Sequence, residues 1–293
     1  RENNDVNSAW MCDAGRLGFH YLDSEARLTE PMVKEGREHR ATDWPAAIRA
    51  VAEGVGRQRG KGIAIVASGR MTNEELFLIR TLAKTLDADI VDIVKRRGEG
   101  DDYLVHADKN PNTNGAKTIL KLRSPGSKIK AIKKGIADGS ITALLAFGEN
   151  LVKAGIEEAE LKKLKFLASS HILANPTAKL SNVILPGAGF AEKRGSMINA
   201  TGRLQRLNKG VEPPGDARDD WEFLQELNRA LDGLDGLYEI ADVFAEMASE
   251  VAAFKGLKIS SIGDLGVDVL EIDEGVPLLE RERERIKQGL IVG

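Results

Sequence analysis

Residues 62–94 read GIAIVASGRMTNEELFLIRTLAKTLDADIVDIV, and this stretch decides the fold. Gly62 leads into Ile63-Ala64-Ile65-Val66-Ala67, a short unbroken apolar run that suits a strand buried on both faces. Thr72 and Glu75 have capping-box spacing, in which each side chain satisfies the other residue's backbone N–H at a helix start. Leu76, Ile79, Leu82 and Leu86 then carry an apolar stripe at helical spacing, and Ile90 to Val94 reads as a second strand. A strand, a helix and a strand in succession predict a parallel crossover unit.

The same alternation extends in both directions. Upstream, Thr42 or Asp43 can cap a helix with Pro45 in its first turn and Ile48, Val51, Ala52 and Val55 on one face. Downstream, Arg96 to Gly115 is a long connection rich in Asp, Asn, Gly and Pro, and a subdomain change near 96–115 is a candidate there. Ser127 can cap a helix bearing Ile129, Ile132 and Ile136. A strand is expected at Ile141 to Phe147, a short helix at Glu157 to Lys163, and strands at Lys165 to Ser169 and Asn182 to Leu185. Glycines punctuate residues 187–210, where short strands are expected at Ser196–Asn199 and Arg203–Arg206. Helices follow at about Asp219 to Leu231 and Ile240 to Phe254. Alternating strands and helices predict an α/β fold of mostly parallel sheets flanked by helices. The expected divisions are an irregular arm over 1–40, an α/β body over 41–235, and a C-terminal helix with a short, charged, weakly structured tail over 236–293.

Composition limits the functions. Lys plus Arg number 42 against 45 Asp plus Glu, a net charge of −3, which gives no general electrostatic reason to expect nucleic acid. Seven Lys and Arg with no acid lie between Lys117 and Lys134, and a solvated face is the expectation for them. With one cysteine no internal disulfide forms, so a stapled extracellular fold is excluded. No apolar run approaches the roughly 18 residues of a membrane span, so direct membrane insertion is not expected. A chain opening on Arg1 reads as a fragment or trimmed product. The four histidines show no metal-ligand spacing and read as surface or structural residues, and the three tryptophans read as packing anchors.

Five stretches carry a family resemblance: DVNSAWMCDAGR (5–16), RLTEPMV (27–33), ADKNPNTNGAK (107–117), ALLAFGEN (143–150) and SNVILPGAGFAEKRGSMINATGRLQRLNKGVEPPGDARDDW (181–221). In this order they resemble the molybdopterin oxidoreductases and their relatives, the large iron–sulfur subunits of NADH–quinone oxidoreductases in respiratory complex I. The resemblance implies that Cys12 stands where the family has the last thiolate ligand of a 4Fe–4S cluster, with partners before Arg1. Read on its own, Cys12 is equally a small buried apolar residue. Molybdenum-bearing relatives place a Lys two residues after that Cys. Here Ala14 can neither donate a hydrogen bond nor carry charge, the metal-ligating Cys has no equivalent, and nothing after Gly236 matches the C-terminal barrel. No molybdenum is expected. Gly148, Glu149 and Asn150 follow a buried strand where active relatives hold a guanosine. Read without the family, they lie where open α/β sheets place a ligand crevice, with Glu149 able to accept from a ribose or a guanine edge, or they are a strand-to-loop turn with a capping Asn. The resemblance implies a crevice that is vestigial. Gly195 reads as a position needing positive φ or close backbone approach, and Glu192, Lys193, Arg194 and Arg203 as a salt-bridged loop.

The resemblance implies a non-catalytic structural and docking module in the electron-input arm of an NADH–quinone oxidoreductase. It would sit against other peripheral-arm subunits on the cytoplasmic side of the inner (cell) membrane. The alternatives are a molybdopterin-dependent subunit of formate-dehydrogenase or hydrogenase type, and a vestigial nucleotide-binding module.

Overall fold

A computed structural model describes residues 6, 10–11, 13–100, 105–272, 284–285 and 287–289 of the chain. In chain order the elements begin with α1 (Asp13–Leu17), β1 (Met32–Glu35), β2 (Glu38–Ala41), α2 (Trp44–Gly56), β3 (Ile63–Ala67), α3 (Asn73–Leu86) and β4 (Ile90–Ile93). Next come α4 (Thr113–Ile119), α5 (Ile129–Asp138), β5 (Ala143–Phe147), α6 (Glu158–Leu161), β6 (Phe166–His171), α7 (Pro176–Leu180) and β7 (Val183–Pro186). The series ends with β8 (Gly195–Ile198), β9 (Arg203–Leu207), α8 (Asp220–Ala230), α9 (Ile240–Glu250) and β10 (Val267–Asp268).

The main sheet has seven strands in the order β2-β1-β7-β6-β5-β3-β4. Strands β3 to β7 run parallel, β1 pairs antiparallel with β7, and β2 pairs antiparallel with β1. The chain leaves β3 outward to β4, then returns to place β5 on the other side of β3. That reversal makes the C-terminal ends of β3 and β5 a topological switch point, where open α/β sheets place their crevice. Both faces are covered, as the buried runs of β3 and β5 require. On one side α2, α3, α8 and α9 bury Val51, Phe77, Phe223 and Phe244 against Ile63, Ile65 and Leu145. On the other, α5 and α6 bury Ile132, Ile136 and Leu161 against Ala64, Val66 and Leu144.

Local chemistry explains where helices start. Asp43 Oδ1 accepts from Ala46 N at 2.7 Å, opening α2. At α3, Thr72 Oγ1 accepts from Glu75 N at 3.3 Å and Glu75 Oε2 accepts from Thr72 N at 2.8 Å, the reciprocal box legible in the sequence. Trp44 is buried, stacks on Phe223 at 5.4 Å between centroids, and donates from Nε1 to Asp216 O.

Several expectations need correction. The arm is not wholly irregular: residues 32–41 form the β1–β2 hairpin that extends the sheet, with Met32 opposite Ile184 and Val33 opposite Val183. Two four-residue, largely polar strands carry little signal of their own, and the pairing with β7 supplies the missing context. The connection after Arg96 ends earlier than expected, because α4 starts at Thr113 and buries Ala116 and Ile119. Lys128, not Ser127, precedes α5; the buried Asp92 carboxylate accepts from Gly126 N and Lys128 N at 2.8 and 2.7 Å and serves in place of a cap. The tail is not loose from Lys255, since Ile262 is fully buried and Val267–Asp268 pairs with β9. Trp10 is exposed rather than an anchor. Six of the seven cations between Lys117 and Lys134 are exposed, as anticipated. No helix among the described residues is long and apolar enough to cross a membrane.

The Thr72 box is buried, so its loss leaves backbone donors unmet. Thr72→Ala is expected to cost about 1–2 kcal/mol and Thr72→Ser much less, measured as the difference in urea unfolding free energy. Equal stability of all three chains would show that the box does not hold α3.

Candidate functional site

At the switch point the chain leaves β5 through Gly148, whose φ of +69° is a backbone state that favours glycine. A Cβ there would stand 3.0 Å from Ser68 Cβ, so the ends of β3 and β5 close on each other. Glu149 follows, 1% exposed. Arg96, just beyond β4, grips it with both arms: Nη1 to Oε1 at 2.8 Å and Nη2 to Oε2 at 2.6 Å. Arg96 Nη1 also donates to Asn110 Oδ1, and Asn110 Nδ2 donates to Val94 O. Asn150 Oδ1 accepts from Lys153 N and from Thr177 Oγ1, so it ties its own turn to α7.

Arg70 and His171 complete this edge. Desolvation and then the neighbouring Arg96 charge lower the Arg70 pKa, although much of the residue faces solvent. Burial, followed by the Arg70 charge, pushes His171 down to about 4. Its Nδ1 accepts from Leu173 N at 3.0 Å, so at neutral pH the ring is neutral with its proton on Nε2. With Glu149 offsetting Arg96, the edge keeps the Arg70 charge and suits an anion more than acid–base chemistry.

The second concentration of polar groups lies where residues 187–207 meet α3 and α8. Lys193 is 5% exposed, and its Nζ donates to Glu75 Oε1 at 2.7 Å and to Asp220 Oδ2 at 2.9 Å. Those carboxylates raise the Lys193 pKa against its burial. Asp220 also accepts from Ala188 N, and Asp219 Oδ2 from Arg194 N. Glu74 accepts from Ser196 N and Ser196 Oγ at 2.9 and 2.8 Å. Glu192 receives Gly189 N at 2.7 Å and pairs with the buried Arg27 at 2.8 Å. Arg203 pairs with Asp268. Glu192, Lys193 and Arg203 are thus salt-bridged, while Arg194 enters through its backbone N–H.

Gly195 sits in the middle with φ of +146°, and a Cβ there would lie 2.7 Å from Glu74 Oε2 and 2.8 Å from Thr72 Cβ. Sequence reasoning singled out Gly148, Glu149, Asn150 and Gly195 but missed Arg96, Arg70 and the Asp219-Asp220 pair. Arg96 lay inside a stretch read as linker, and the acidic pair had the look of ordinary residues at a helix start.

The groups that the family resemblance implies can be set against these residues. A guanine or ribose would meet Glu149 as an acceptor, and that carboxylate is 1% exposed with one lone pair of each oxygen already given to Arg96. Cys12 lies outside the described residues. It is the chain's single cysteine, and one thiolate does not make the set of about four that a cubane cluster takes.

Two outcomes follow from the second cluster. Gly195→Val is expected to cost on the order of 1–3 kcal/mol or more through strain and contact with Glu74, read as a shift in unfolding midpoint and a lower yield of folded chain. Lys193→Met strands two buried carboxylates and is expected to cost about 3–5 kcal/mol. Adding Glu75→Gln should recover part of that loss; no recovery would place the lysine's contribution in packing.

A family model described as Molybdopterin oxidoreductase matches residues 27–110 and 105–230. The chain is 36% identical over 141 residues to the F420-dependent formate dehydrogenase 2 subunit alpha of Methanococcus maripaludis, covering 45% of this chain and 20% of that protein. It is 36% identical over 146 residues to the NADPH-Fe(3+) oxidoreductase subunit alpha of Geobacter sulfurreducens, covering 48% of this chain and 17% of that one. To an NADH-quinone oxidoreductase subunit of Streptomyces coelicolor it is 34% identical over 94 residues, 31% of this chain and 11% of that one. The matches therefore span about a fifth or less of those relatives' lengths. Among solved structures, acetylene hydratase from Pelobacter acetylenicus superposes with a TM-score of 0.59 over 94% of this chain and 71% of that chain, at 10% identity, a likeness of fold. With most of its length from the hairpin to α8 matched by the family model, the chain belongs to the molybdopterin oxidoreductase family.

Proposed function

We propose that this chain is a structural and docking module in the electron-input arm of an NADH–quinone oxidoreductase, part of its large iron–sulfur subunit, and that it carries no catalytic residue. One observation carries the reading: at the switch point the Glu149 carboxylate, 1% exposed, is engaged through both oxygens in an internal ion pair with Arg96. Ala14, in the position of the Lys of molybdenum-bearing relatives, supports the absence of molybdenum. The likeness to the NADH-quinone oxidoreductase subunit of Streptomyces coelicolor supports the assembly. Electrons pass through flavin and iron–sulfur centres elsewhere. A 4Fe–4S cluster at Cys12 draws its remaining thiolates from outside these residues. The α/β body, from the β1–β2 hairpin through α9, is docked against other peripheral-arm subunits on the cytoplasmic side of the cell membrane.

A second reading, a molybdopterin-dependent subunit of formate-dehydrogenase type, is favoured by the longer match at higher identity to a formate dehydrogenase alpha subunit. The two part on metal and on activity. The expected result, for the complex purified through a tag on the full-length protein, is NADH–quinone activity with iron and without stoichiometric molybdenum or tungsten. Elemental analysis and assays with NADH and with formate measure this. A whole molybdenum or tungsten atom per complex, with formate oxidation, would replace the first reading by the second.

A further inference from the structure

The joint between residues 187–198, α3 and α8 holds four carboxylates and one amine, all buried. Glu74 and Glu75 are 0% exposed, Asp219 3%, Asp220 4% and Lys193 5%. The groups facing this set can be named element by element. From α3 come Glu74, Glu75 and the capping Thr72; from the loop, Lys193 and the N–H of Arg194; from β8, Ser196; from α8 and its cap, Asp219 and Asp220. On the sheet side, Ser170 and the neutral His171 lie near Asp220. The α2 side presents Trp44, with Arg218 over its ring and turned to Glu226. The next pair outward, Arg27 with Glu192, neutralises itself.

Among the described residues Lys193 forms ion pairs with Glu75 and Asp220 alone. Ionised Glu74 and Asp219 would be two further buried charges with no cation on either. The hydrogen bonds from Ser196 to Glu74 and from Arg194 N to Asp219 favour the ion, but burial without an ion-paired cation outweighs them and favours the neutral acid. Asp219 adds an independent sign: its Oδ1 is buried with no hydrogen-bond partner among the described residues, a costly place for a full negative charge.

We propose that Glu74 and Asp219 hold their protons in the folded chain at mildly acid pH and give them up from neutrality upward, so that protonation locks the joint between the glycine-rich segment and α8, and the joint loosens as pH rises. Burial raises Glu74 to about 7 against the pull of its hydrogen bonds from Ser196, and burial with the Glu75 charge raises Asp219 to about 8. A carboxyl in the unfolded chain titrates near about 4. The folded chain therefore holds more protons across that interval. The stability from these two groups is complete below about pH 4 and is lost as pH rises through about 7 for Glu74 and about 8 for Asp219. This is the reverse of acid denaturation by paired carboxylates.

The test is urea unfolding of the 293-residue chain from pH 5 to pH 9, compared with Asp219→Asn, Glu74→Gln and the double variant. An amide cannot ionise, so each substitution should remove about a tenfold change in the folding equilibrium per pH unit over the lower part of that range. Relative to the unmodified chain, each variant should gain stability as pH rises. Backbone hydrogen exchange over residues 189–200 and 216–222 should climb with pH faster than the intrinsic rate in the unmodified chain. It should lose that excess in Asp219→Asn. Curves that run parallel, or variants that lose ground at alkaline pH, would overturn the proposal by showing the carboxylates ionised. If one variant fails to fold, the other decides. Failure of both at every pH would also overturn it, because an amide is the nearest mimic of a neutral acid.

Discussion

One buried ion contact holds the parts of this molecule in register: Lys193 Nζ between Glu75 at the head of α3 and Asp220 at the head of α8. The two helices pack on the same face of the sheet, and the loop that carries the lysine is the exit from β7. A buried ammonium leaves little freedom, since it must keep its carboxylates in reach or carry an unmet charge. The position of the glycine-rich segment follows from that demand. Gly195 is admitted because nothing larger fits beside Glu74, and β8 is laid down where Ser196 can meet the same carboxylate.

The switch point shows a related economy. Strand order alone puts an opening at the ends of β3 and β5, and in an α/β sheet such an opening ordinarily receives a ligand. Here an arginine from the end of β4 reaches across and meets the Glu149 carboxylate in an internal ion pair. The turn is built on a positive-φ glycine, and its side chains bond within the protein, Glu149 to Arg96 and Asn150 to Thr177.

What was legible in the sequence was what is local. The Thr72–Glu75 box, the Asp43 cap and the apolar runs of β3 and β5 are each complete within a few residues, so their reading carried over to the structure. The salt-bridged character of Glu192 and Lys193 was legible too, but not their partners. Glu75 lies 118 residues from Lys193, and Arg96 lies 53 residues from Glu149, separations at which no spacing rule operates. The β1–β2 hairpin failed for the same reason, being polar strands defined by a neighbour far along the chain. Asp92 is a subtler case. It stands in a strand, caps a loop by side chain and leaves the helix after it without a conventional cap of its own.

That distant neighbour of the hairpin has a consequence for how the chain is made. β1 rests on β7, and His39 of β2 bonds to Ser181 O, 142 residues later. Contacts that close so long a loop form late. During synthesis the hairpin leaves the ribosome before β7 and waits until that strand has emerged. In that interval β3 and β4 can already pair and the Thr72–Glu75 box can already open α3. The hairpin is thus made ahead of the strand that anchors it, and it is among the last parts of the described sheet to be fixed.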